Sequence, residues 1–158
     1  VVGRPSVLET PQPLNDFEAA AARARALAVE TGFAPCTERY NAVVLPAGEG
    51  LDAWVAYLLP GTTRRNVVPV GGTYRVDIGL AAGAVALRPY TRTCIQLENE
   101  PRAVGLMITH LLDAVPTEVH VFWSLWAGKP IYVATPPNGA VWAVEGASVR
   151  NVSRGQGR

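Results

Sequence analysis

The sequence predicts an α+β domain in which one N-terminal helix packs on a curved, mostly antiparallel β-meander sheet. Three observations carry that reading. A capped, alanine-rich segment stands near the start; alternation of period two takes over from residue 39; and the turns are too closely spaced to hold crossover helices.

In chain order, residues 1–13 carry Pro5, Pro11 and Pro13 without periodicity and read as an extended arm. Asn15 then stands where a helix cap belongs, with Glu18 three residues on in the capping-box position. Asp16 and Glu18 suit the positive end of the helix dipole, and Gly32 supplies a left-handed stop after residues 16–31. Phe17, Ala20, Ala21, Ala24, Leu27 and Ala28 fall on one stripe of small residues, so this helix should lie close against a sheet.

Strands are expected at 39–45, 53–59, 73–78, 84–88, 92–97, 104–111, 118–126, 130–135, 140–144 and 148–152. Joined by short turns, they should pair antiparallel throughout. Asn138-Gly139 is the strongest hairpin signal. Gly71-Gly72 precedes a strand rather than a helix, so it reads as a turn needing positive φ and not as a phosphate cradle. Residues 14–152 make one domain, and 153–158 form a flexible tail.

Composition narrows the function classes. The chain has 158 residues, 49% hydrophobic, and a formal net charge of +1. It can bury a core, and it lacks the basic excess of a dedicated nucleic-acid binder. No apolar run approaches membrane-spanning length, so no transmembrane segment is expected. Of the cationic residues, Lys129 alone is lysine. The two cysteines, Cys36 and Cys94, fit a disulfide closing a long loop, worth about 4 kcal/mol; two buried thiols are the alternative. The chain opens at Val1 without a leader, and the cysteines favour removal of an export signal over trimming. The expected location is periplasmic or secreted.

The familiar catalytic and nucleotide-binding signatures are absent. Two sets of residues remain. If 118–126 is a strand, Glu118, His120, Ser124 and Trp126 share one face, with Glu118 and His120 about 7 Å apart. A hairpin through 111–117 would bring His110 and Asp113 to them. His110, Asp113, Glu118 and His120 could then hold a divalent metal such as zinc, or an imidazole and carboxylate could share a proton. The plainer reading has His120 bonded to a neighbouring strand and Glu118 paired with an arginine such as Arg92. A serine triad through Ser124 fails, because its members would all sit on one strand.

The second set is a sheet face bearing Arg75, Arg88, Arg92 and Tyr90, suited to a small anionic ligand or a carboxylate-bearing partner. Cross-strand pairing with Asp77, Glu98 and Glu100 is the alternative. Trp123 should be buried, and Trp126 is a candidate ligand wall or partner surface.

The strings Gly71-Gly72-Thr73-Tyr74-Arg75-Val76, Arg88-Pro89-Tyr90-Thr91-Arg92-Thr93-Cys94 and Pro116-Thr117-Glu118-Val119-His120-Val121-Phe122 resemble those of uncharacterised proteobacterial exported proteins. That resemblance implies a bacterial, exported, single small α+β domain and transfers no activity. The sequence expectation is therefore a non-catalytic binding module without cofactor, contacting another envelope protein or a small anionic ligand. A metal-dependent or acid–base enzyme using the histidine cluster is the alternative.

Overall fold

In the computed structural model, which describes residues 9–64 and 66–153 together with Val7, two helices and ten strands form. Their order is α1 (Asp16–Val29), β1 (Tyr40–Pro46), β2 (Ala53–Pro60), β3 (Val67–Val68), β4 (Tyr74–Gly79), β5 (Ala84–Pro89) and β6 (Leu97–Glu98). There follow β7 (Leu106–Thr109), α2 (Glu118–Ala127), β8 (Ile131–Thr135), β9 (Ala140–Glu145) and β10 (Ser148–Asn151). This is an α+β architecture with mostly antiparallel strands and α1 on the first sheet. Of the expected arm and tail, residues 1–6, 8 and 154–158 lie outside the described residues.

The strands divide rather than forming one meander. The first sheet runs β1-β2-β4-β5, the second β10-β9-β8-β7, and β3 and β6 make a two-stranded ribbon. Helix α1 begins as its residues dictate: the Asn15 side chain accepts from the Glu18 N–H, and the Glu18 carboxylate accepts from the Asn15 N–H, both at 2.9 Å. Gly32 beyond it adopts φ +69°. Ala20, Ala24 and Ala28 are buried against Trp54, Ala56 and Leu58 of β2 and Val76 and Ile78 of β4. Small side chains let the helix lie close to the sheet, so a large residue at Ala24 would have to displace the strands.

The expected strand at 118–126 is instead α2. Thr117 caps it in extended conformation, Gly128 stops it at φ +64°, and its buried residues Val119, His120, Trp123 and Ser124 follow helical spacing. Its outer side is apolar as well, with Phe122, Leu125 and Trp126 exposed, so the helix shows no polar stripe. Trp123 and Val119 enter a core with Leu106, Ile108, Ile131, Val133 and Val144 of the second sheet. The Trp123 indole N–H donates to Thr73 Oγ1 at 3.3 Å, and the Ser124 hydroxyl donates to the Val144 carbonyl at 3.0 Å. Because α2 is a crossover between β7 and β8, those two strands pair parallel, Leu106 opposite Ile131, against the antiparallel expectation. The hairpin at Asn138-Gly139 forms as expected, joining β8 to β9 with Gly139 at φ +65°.

Cys36 and Cys94 form a disulfide, which fits an oxidising compartment. Gly71 and Gly72 pass beneath it. A Cβ on Gly71 would lie 1.9 Å from the Ile95 nitrogen, and one on Gly72 2.5 Å from Cys36 Sγ; Gly72 also has φ +82°. No helix among the described residues is long and apolar enough to cross a membrane.

Candidate functional site: a carboxylate-ended groove beside helix α2

Alternation sends β2 residues to both sides of the first sheet. Trp54, Ala56 and Leu58 face α1, whereas Val55, Tyr57 and Leu59 take the opposite face. The register places Val43, Tyr57, Arg75 and Arg88 in one row across β1, β2, β4 and β5 on that second face. The row grades from apolar to cationic. The first turn of α2 lies against it, which brings Glu118 to the tyrosines and arginines.

Three side chains converge on Glu118 Oε1. The Tyr57 hydroxyl donates at 2.8 Å, the Tyr90 hydroxyl donates at 2.5 Å, and an Arg75 guanidinium nitrogen lies at 3.6 Å. Arg75 is shared: it makes its shorter bond, 2.8 Å, to Asp77 two residues along its own strand. Burial alone would raise the Glu118 pKa, but the bonds from Tyr90, its own backbone N–H and Tyr57, with the Arg75 charge, hold it below the usual carboxylate range. The tyrosines respond oppositely. Burial and then the hydrogen bond to Glu118 push both Tyr57 and Tyr90 up. Arg75 is pushed up chiefly by its bond to Asp77.

The histidines meet behind this carboxylate, not beside it. His110 follows β7, His120 sits in the first turn of α2, and their rings stack edge to face at 4.7 Å. His110 Nε2 lies 2.8 Å from Asp113 Oδ2, and Arg88 holds the other Asp113 oxygen at 2.5 Å. His120 Nδ1 accepts from the Thr117 N–H at 3.0 Å, closing the helix N-terminus. Both imidazoles are nearly inaccessible, 2% and 3% exposed. Burial, then the neighbouring His110, depress the His120 pKa to about 4, so the ring is neutral and serves as an acceptor. Glu118 is directed to Tyr57 and Tyr90, and the four expected ligands do not share a centre. Among the described residues no group of three or more His, Cys, Asp or Glu side chains is placed to hold a metal ion.

The expected arginine face is also redistributed. Arg75 and Arg88 are direct cross-strand partners, and Tyr90 lies beneath the Arg88 guanidinium, 5.0 Å from ring centre to Cζ. Both arginines already face carboxylates. Arg92 lies past the end of β5, in a depression beside the disulfide with Cys36, Gly72 and Cys94, away from Glu118. Glu98 pairs with Arg64 at 3.1 Å. Trp123 is buried as expected; Trp126 is 47% exposed at the other end of α2, stacked edge to face on Trp123.

A groove with a cavity volume of about 280 Å³ opens between Val43, Leu45 and Leu59 of the sheet and Val119 and Phe122 of α2, with Tyr57 and Glu118 completing its lining. A second depression of about 160 Å³ shares Leu59 and Phe122 with it and reaches Pro60, Pro69 and Trp126. Sequence reading missed Tyr57, Val43, Leu45 and Phe122. The spacing of β2 already set Tyr57 apart from Trp54, Ala56 and Leu58, but nothing local tied it to a carboxylate sixty-one positions away. Comparison with protein-family models, with curated proteins and with solved structures finds no match to this chain.

Proposed function

We propose that this chain is a non-catalytic binding module, exported to the periplasm or the cell exterior, that receives an extended segment of a partner envelope protein along β1 and α2. The observation carrying this reading is the groove itself: an apolar cleft with a single ionised carboxylate, fixed in place by two tyrosines and an arginine. Its cavity lies just under the roughly 300–1,000 Å³ of small-molecule sites, which suits one long side chain rather than a whole ligand. β1 is an edge strand, and its half-exposed Val43 and Leu45 form the rim of the groove. An added strand would gain backbone hydrogen bonds there and send alternate side chains into the groove.

The same geometry counts against acid–base chemistry at Glu118 and His120. Glu118 is held down, Tyr57, Tyr90 and Arg75 are held up, and His120 is neutral and buried, so none of these groups is poised to exchange a proton near neutrality. A small anionic ligand would have to compete with Asp77, Glu118 and Asp113 for Arg75 and Arg88.

Panning a random-peptide library against the immobilised protein tests the reading. Peptides enriched on the native protein should lose binding to Leu45→Asp and Phe122→Asp and keep it with Met107→Asp, an exposed residue on the second sheet. Failure to enrich any peptide, or binding that survives both groove substitutions, overturns it.

A further inference from the structure

Resting on that reading, the charge and shape of the groove go further and name the side chain it takes. We propose that the groove is a lysine pocket: the partner inserts a lysine whose aliphatic stem lies on Val43, Leu45, Leu59 and Phe122 and whose ammonium meets Glu118.

Charge is the first argument. Among the described residues, Glu118 is the one charged residue lining the groove. The nearest cation, Arg75, is divided between two carboxylates, Asp77 at 2.8 Å and Glu118 at 3.6 Å, so this trio carries one net negative charge. The Glu118 carboxylate is ionised at neutral pH, and the phenols of Tyr57 and Tyr90 stay protonated as its donors. A cation entering the groove thus meets an anion that has tyrosine support and incomplete charge compensation.

Geometry chooses lysine over arginine. Tyr57, Tyr90 and Arg75 all address Oε1, and no side chain among the described residues reaches Oε2. A guanidinium gains its advantage by gripping both carboxylate oxygens at once, which this arrangement denies. An ammonium needs only one oxygen, and the lysine stem is apolar up to its last carbon, matching the groove walls.

The test uses simple probes with the intact protein. Methyl resonances of Val43, Leu45, Leu59 and Val119 are followed by NMR while n-hexylammonium, n-hexanol, n-hexanoate or n-pentylguanidinium is added. n-Hexylammonium should bind about two- to fivefold more tightly than n-hexanol, with n-hexanoate weakest, as expected for a half-exposed ion pair. The preference should shrink as salt is raised and vanish in Glu118→Gln. Equal binding of the alcohol or the carboxylate in the native protein overturns the lysine assignment while leaving the groove as a docking site. Tighter binding of the guanidinium overturns the choice of lysine over arginine. No groove perturbation by any probe removes the docking reading as well.

Discussion

The two faces of the first sheet are built from the same strands and do opposite things. On one, Trp54, Ala56, Leu58, Val76 and Ile78 lie under the alanine stripe of α1 and see no water. On the other, Val43, Tyr57, Arg75 and Arg88 form a row met by Glu118 of the first turn of α2 and, at Arg88, by Asp113. The closed face spends its area on packing, where any change of volume is felt. The open face keeps Val43 and Leu45 at half exposure beside buried Val55 and Leu59, and surrounds an ionised carboxylate with polar partners. Stability should reside in the first and recognition in the second.

The largest test of this division is Trp54→Ala. Trp54 is 1% exposed, stacks on Phe17 at 5.2 Å and donates its indole N–H to the Leu51 carbonyl. Its loss should cost about 3–5 kcal/mol in denaturant unfolding. A cost near zero would mean the α1 face is not the stabilising one.

A second test is acid. His120 binds a proton near pH 6.5 in the unfolded chain but only near pH 4 in the fold. Stability is therefore full above about pH 6.5 and falls as pH drops toward 4, by at most about 3 kcal/mol. Glu118, depressed in the fold, adds a loss in the same direction at lower pH. Thermal unfolding from pH 7.5 to 4.5 should show the decline, and His120→Asn should flatten it. An unchanged slope in that variant would place the acid sensitivity elsewhere.

The smallest effect is expected from Tyr90→Phe. The open-face carboxylate loses a 2.5 Å donor, its NMR titration should move to higher pH, and stability at pH 7 should fall by about 1 kcal/mol. Because Glu118 is half exposed, water takes over part of the lost bond. A Glu118 titration that does not move would show that Tyr57 and Arg75 suffice.

Legibility followed how local the cause was. Helix α1 was readable because Asn15 and Glu18 at its start and Gly32 at its end each act on backbone within a few residues of themselves. The Asn138-Gly139 hairpin was readable for the same reason, and the Cys36–Cys94 bridge, across 58 residues, because the chain holds just two cysteines. Helix α2 was not, because its exposed side carries Phe122, Leu125 and Trp126 in place of a polar stripe, and its apolar run also satisfies alternation. Thr117 and Gly128 were the available signals; His120 in place of the usual Glu or Gln hid the closing bond to the Thr117 N–H. That error hid the parallel β7–β8 pair with it. The histidines and Asp113 do meet, through a strand-to-helix turn rather than a hairpin. Glu118 finds Arg75 rather than Arg92, and its tyrosines come from β2 and the end of β5, a convergence that only the tertiary fold creates.

The glycine pair under the sulfur bridge imposes a rule on how this sequence can drift. Position 71 is blocked by the Ile95 backbone whatever happens to the cysteines, so it is confined to glycine. Position 72 is crowded by Cys36 Sγ and the Tyr40 hydroxyl and, separately, committed to positive φ. A descendant that dispensed with both cysteines would remove the sulfur but leave the Cβ of residue 36 and the Tyr40 hydroxyl, each 2.7 Å from a Cβ at 72, as well as the positive φ, so glycine stays favoured there. Positions 71 and 72 should therefore both stay glycine whether or not 36 and 94 keep their cysteines.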